Sequence, residues 1–71
     1  MQKRSVSIAK HRTSVSLEEE FWDILDEIST ENNTTIPKLL EIIEKKSDKQ
    51  NLASAIRVFC LNHLSDLIKK R

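Results

Sequence analysis

Arg12, Ser14 and Ser16 stand two residues apart, so on an extended strand their side chains share one face while Thr13, Val15 and Leu17 take the other. An arginine guanidinium is a planar fork of donors that fits paired acceptors, and a serine hydroxyl both donates and accepts. Such a face suits recognition by hydrogen bonds, not bond-breaking. Other reactive types are sparse. Cys60 and His63 lie three apart, a spacing that can hold a metal, but a structural zinc site needs about four ligands. Cys60, His11 and His63 fall short of that without carboxylates. Cys60 therefore reads as a small buried apolar residue and His63 as a partly exposed helix residue, with no metal or other cofactor. Phe21 and Trp22 would make a stacking platform, yet they sit among acids on a helix and read as core or interface packing. Nothing places a serine on an activated turn or near an oxyanion loop. Glycine is absent from the whole chain, which removes glycine-rich phosphate loops and the sharp turns of nucleophile elbows. The expectation is a protein that is not an enzyme.

These side chains need a scaffold, and the chain is short. Its 71 residues make one domain that buries only about 60% of the surface it exposes unfolded. One cysteine permits no internal disulfide, so association with another chain is the expected source of extra stability. The lone thiol fits a reducing cytoplasm. No run of about 20 apolar residues is present to span a membrane, and no continuous apolar segment follows the basic start to suggest a signal peptide.

The net charge of +1 hides a strong segregation. Residues 1–17 carry Lys3, Arg4, Lys10 and Arg12 with no acid. Residues 18–48 hold ten acids against three lysines, and residues 49–71 hold five cations against Asp66 alone. An acidic middle with basic ends presents a positive face to a polyanion if folding brings the ends together.

Local patterns give the elements. Ser5–Ile8 and Arg12–Leu17 alternate with period two. The second reads as a half-buried strand. The first reads as an arm or an extra edge strand, because Ala9-Lys10-His11 carries no hairpin turn signal. Glu18, Glu19 and Glu20 crowd the start of a helix, where its dipole favours anions. Ser16 or Leu17 lies at that start, so Ser16 is also a candidate cap. Phe21, Leu25 and Ile28 form the core stripe with Ile24 beside it, and Asn32-Asn33 closes the helix. Thr34-Thr35 caps a second helix with Ile36 and Pro37 in its first turn; its stripe is Ile36, Leu39, Leu40 and Ile43. The polar run Lys45–Gln50 reads as a loop. Asn51 caps a third helix with Leu52, Ile56, Phe59, Leu64 and Leu67 on its buried side.

A mainly α chain with one strand poses a physical problem, since a lone strand leaves its backbone donors and acceptors unpaired. Pairing it with its own copy in a second subunit solves this and the small-core problem together. At this point the residues resemble the ribbon-helix-helix family. The resemblance lies in Arg12–Leu25 and Asn33–Leu40, and it is closest to the bacterial subgroup with a further segment, here Asn51–Phe59.

The resemblance implies a homodimer whose intersubunit antiparallel ribbon lies in the major groove of double-stranded DNA, with Arg12, Ser14 and Ser16 touching base edges. Arginine forks onto guanine, and serine serves any base. It also implies a phosphate clamp at the start of the second helix, where Thr34, Thr35 and Lys38 stand. Asn33 occupies a position that is often glycine in the family, and asparagine tolerates the left-handed backbone needed there. Lys3, Arg4 and Lys10 would then reach phosphates from residues 1–11, the basic arm or extra strand, while residues 12–71 form the dimerising and DNA-binding domain. The implied role is a cytoplasmic transcriptional repressor that recognises a palindrome or repeat, with dimers able to assemble further on DNA. The alternatives are a helix-turn-helix that reads bases with Ser54 and Arg57, a dimeric adaptor or antitoxin-like protein that binds a protein partner, and a purely structural dimer. Arg57 is open to pairing with an acid of the partner subunit or to pointing toward a phosphate.

Overall fold

The computed structural model describes residues 1–47 and 51–70. It consists of two strands, β1 (Gln2–Ile8) and β2 (His11–Leu17), then three helices, α1 (Glu19–Glu31), α2 (Ile36–Lys46) and α3 (Leu52–Lys69). The order is the one the resemblance implies, a strand followed by two helices, with one more strand before it and one more helix after it. Asp48, Lys49 and Gln50 of the expected loop, and Arg71, fall outside the described residues; Lys45 and Lys46 end α2 instead of starting that loop.

One expectation changes here. From sequence alone β2 had no partner in its own chain, but β1 pairs with it antiparallel from Gln2 opposite Leu17 to Ile8 opposite His11. The extra edge strand is thus a full strand, and it starts three residues earlier than the Ser5–Ile8 alternation. The turn was hidden because it lacks the usual residues. Ala9 and Lys10 both take positive φ, 50° and 69°, the pattern of a two-residue turn that matches strand twist and normally recruits Asn-Gly. A left-handed non-glycine residue costs about 1–2 kcal/mol, which strand pairing and burial of the inner face offset.

The ribbon lays one face on the helices. Ile8, Val15 and Leu17 are buried there together with Trp22, Leu25 and Ile28 of α1, Leu39, Leu40 and Ile43 of α2, and Ala55, Ile56 and Cys60 of α3. The α1 stripe differs from expectation at its first position: Leu25 and Ile28 are buried as expected, but Trp22 is fully buried in place of Phe21, which with Ile24 flanks the core. Trp22 can be buried because its indole Nε1 donates to the Gln2 carbonyl at 2.9 Å, so its polar atom is satisfied. Cys60 is also fully buried, and burial pushes its thiol up to about 11, which keeps it protonated and unreactive.

Helix ends follow the sequence signals with one difference. Asn33 takes the left-handed backbone, φ 51°, after α1. The Thr35 hydroxyl accepts from the Lys38 amide at 3.4 Å, and Asn51 Oδ1 accepts from the Ala53 amide at 2.9 Å. At α1 the cap is Glu18, with no side-chain cap bond, so Ser16 remains a strand residue. In α3, Leu64 and Leu67, expected on the buried side, are 39% and 49% exposed. An 18-residue helix is about 27 Å long against about 16 Å for the 11-residue α2, so its C-terminal half outruns the core.

Because Ala9 and Lys10 both hold positive φ, the pair Ala9→Asn and Lys10→Gly raises stability by about 1–2 kcal/mol, read as a higher urea midpoint at unchanged slope.

Candidate nucleic-acid interface

The register decides which side chains share the solvent face of the ribbon. Lys3 is opposite Ser16, Ser5 opposite Ser14, and Ser7 opposite Arg12. All six are exposed. Their strand neighbours Val6, Ile8, Thr13, Val15 and Leu17 turn toward the helices. The outer face therefore bears two cations and four hydroxyls with no acid and no apolar side chain. The expected contact residues Arg12, Ser14 and Ser16 supply half of it, and β1 supplies the rest. Lys10 is exposed at the turn.

Arg4 lies on the inner face, beside Val6 and Ile8 in the alternation. Its guanidinium carbon sits 4.6 Å from the centroid of the Trp22 ring, and its Nη1 is 3.5 Å from Asp26 Oδ1. Among the described residues, Arg4 is the one cation expected to reach phosphates that is held this way, as a clamp of β1 onto α1. Extending the period-two pattern of Ser5–Ile8 backward by one residue places Arg4 inward, so the signal was present in the sequence.

The start of α2 brings Thr34, Thr35 and Lys38 together, with Thr35 and Lys38 exposed. Its supply of amide donors is limited. The Thr34 amide donates to the Ser29 carbonyl at 2.9 Å, the Lys38 amide donates to the Thr35 hydroxyl, and Pro37 has none. Among the described residues, the amides of Thr35 and Ile36 are left for an anion.

A feature not foreseen from sequence is the placement of α3 against β2. Thr13–Ser16 and Asn51–Ala53 line an open cleft of about 390 Å³. Arg57 holds this arrangement. Its Nε and Nη2 both lie 3.0 Å from Glu18 Oε1, and its guanidinium carbon is 5.8 Å from the Phe21 ring centroid. The question of Arg57 is thereby answered: it binds a carboxylate of its own chain. The helix-turn-helix alternative loses one of its two reading residues. The Glu18 carboxyl is held below the usual carboxylate range first by its own backbone amide and then by Arg57.

A family model described as the ribbon-helix-helix domain matches residues 1–64. No curated protein matches the chain, and no solved structure does. The match ends within α3, so it takes in the ribbon, α1, α2 and the part of α3 that packs on the core.

The Glu18–Arg57 contact has a pH signature. A lowered carboxyl pKa stabilises the fold above the ordinary carboxylate range, and that contribution is lost as pH falls through the lowered value. Glu18→Gln should therefore be less stable than wild type at pH 7, and the gap between their urea midpoints should narrow as pH falls through the lowered Glu18 value.

Proposed function

We propose a function on the premise that this chain belongs to the ribbon-helix-helix family, whose members generally bind DNA as dimers. It is a sequence-specific DNA-binding regulator that occupies an operator and represses by steric exclusion. The observation that carries this reading is the outer face of the ribbon, which bears only lysine, arginine and serine, all exposed. A two-stranded ribbon fits the major groove, where Arg12 can fork onto guanine O6 and N7 and Ser14 and Ser16 can meet neighbouring base edges. Lys10 at the turn, and Lys38 with the open amides at the start of α2, take phosphates and so fix the register of the protein on the duplex.

The operator-bound unit is a homodimer. Val58, Leu61, Leu64, Leu67 and Ile68 lie on the outer side of α3, and Ile42 of α2 adjoins them; each is between 39% and 72% exposed. Between α2 and α3 this surface dips into an open groove of about 240 Å³ lined by Ile42, Ile43, Ala55, Val58 and Phe59, with Lys46, Ser47 and Asn62 as its polar part. A contiguous apolar surface of this kind on a small domain calls for a partner, and a second copy of α3 has the matching apolar face. Leu61→Asp with Ile68→Asp should convert a dimer in sedimentation equilibrium to a monomer while leaving the helical circular dichroism in place. A wild-type monomer at tens of micromolar would rule out this interface.

DNA binding is tested by fluorescence anisotropy of a labelled duplex over a range of salt. Lys3, Lys10 and Lys38 bring roughly six cations per dimer to phosphates, so log K should fall against log salt with a slope of about −5. Arg12→Ala should weaken binding to the preferred site by about 1–3 kcal/mol per half-site and relax its sequence preference, whereas Lys10→Ala should make the slope shallower by about 2. No binding at low salt would refute the proposal.

A further inference from the structure

The turn at Ala9-Lys10 fixes which backbone groups of the hairpin point away from it. In an antiparallel pair, hydrogen-bonded and open residue pairs alternate, and the pair flanking a two-residue turn is hydrogen-bonded. Here that pair is Ile8 with His11, so Val6–Thr13, Arg4–Val15 and Gln2–Leu17 are hydrogen-bonded too. The open pairs are Ser7–Arg12, Ser5–Ser14 and Lys3–Ser16, and their amides and carbonyls face outward along the two edges. The same six residues form the solvent face of the ribbon. The free edge of β1 therefore carries the amides of Lys3, Ser5 and Ser7 beside one amine and two hydroxyls. The free edge of β2 carries the backbone groups of Arg12, Ser14 and Ser16, and it borders the open cleft at the start of α3.

In a dimer the two edges take different places. β2 runs from His11 to Leu17, with Ser14 at its midpoint. Two copies of β2 paired antiparallel over their full length set Ser14 opposite the partner subunit's Ser14, with the outward groups of Arg12, Ser14 and Ser16 placed to bond across. Such pairing covers an edge that otherwise stays unmatched and gives the intersubunit ribbon that the family resemblance implies. β2 is then the inner strand and β1 the outer one. Neighbouring strands stand about 4.8 Å apart, so the inner strands lie about 2.4 Å from the two-fold axis and the outer strands about 7 Å from it. The major groove is about 12 Å wide, or about 6 Å from midline to wall. The inner strands fit between the walls. The outer strands fall on the walls, where the phosphates are.

We infer that β1 is a phosphate rail: in the DNA-bound dimer, Lys3, Ser5 and Ser7 of each chain contact the backbone walls of the major groove and read no bases, leaving recognition to β2. The inference rests on the DNA-binding reading above and adds Ser5 and Ser7 to its contacts. Phosphate oxygens accept from main-chain amides, hydroxyls and amines alike, and β1 offers all three with no acid on its outer face. Serine is the shortest hydroxyl side chain, so the strand itself comes close to the wall. Arg4 holds β1 down on α1 through Trp22 and Asp26, so the donors are in place before DNA arrives and need no ordering on binding.

The strand order is tested with two single cysteine variants under mild oxidation, read on a non-reducing gel. Ser14→Cys brings two thiols together across the axis, with Cα atoms about 5.5 Å apart, and should give a covalent dimer. Ser5→Cys, whose copies stand about 14 Å apart across the four strands, should stay at monomer mass. Ser14→Cys that stays at monomer mass would overturn the inference, as would ready linkage through Ser5→Cys.

The role of β1 is tested by selecting bound sequences from a random duplex pool and then measuring affinity. Lys3→Ala and the double variant Ser5→Ala with Ser7→Ala should select the wild-type motif, while Arg12→Ala relaxes it. Affinity should fall on every duplex, by about 10-fold for the double variant, and the salt slope of Lys3→Ala should be shallower by about 2. When single phosphates of the selected site are replaced by uncharged methylphosphonates, wild type should lose affinity at symmetry-related positions where the double variant loses nothing further. A motif changed by the β1 variants would make β1 a reader, and an affinity unchanged by them would leave it without a contact. Either result overturns the inference and leaves the DNA reading standing. A wild type that binds no duplex would remove both.

Discussion

The pairing of β1 with β2 is the constraint on which the rest of the molecule depends. A strand exposes a row of donors and acceptors that must be matched, and this chain matches one edge of β2 within residues 2–17, through a turn with no glycine. The pairing sends one set of side chains into the core and the other into solvent. Burying Ile8, Val15 and Leu17 on the helices leaves no freedom in what faces outward, because a slip of one residue would exchange the two faces. The polar outer surface is a direct consequence of the apolar inner one.

Each helix secures the ribbon differently. From α1, Trp22 reaches under β1 to the Gln2 carbonyl, and Arg4 closes over its ring toward Asp26. From α3, Arg57 grips Glu18 at the joint between β2 and α1, so the start of α3 stays beside Ser14 and Ser16. Both ion pairs are partly exposed and individually modest; their value is in direction, since each crosses between elements far apart in sequence. The acids of the chain are concentrated in residues 18–48, and two of them, Glu18 and Asp26, neutralise the cations that face inward. The cations left on the outer face of the ribbon, Lys3 and Arg12, have no such partner among the described residues.

Much of this was legible in the sequence. Period-two alternation located β2, apolar stripes and caps located α2 and α3, and Asn33 marked the left-handed exit from α1. What escaped notice did so for identifiable reasons. Ala9-Lys10 carries none of the chemistry that announces a two-residue turn, so β1 looked unpaired until its register was known. Leu64 and Leu67 continue the apolar spacing of α3, but periodicity along a helix does not reveal where the neighbouring helices stop. The carboxylate partners of Arg57 and Arg4 lie 39 and 22 residues away, beyond any local pattern, so alternation could turn Arg4 inward without naming Asp26, and nothing local marked Glu18 for Arg57.

The most direct test of the central claim, that the solvent face of this hairpin is the DNA-reading surface, is a titration of isotope-labelled protein with a duplex followed by amide NMR shifts. The account predicts that Ser5, Ser7, Ser14 and Ser16 shift together, on both strands, ahead of residues in α1 and the second half of α3. Shifts confined to the helices, with both strands unmoved, would contradict it.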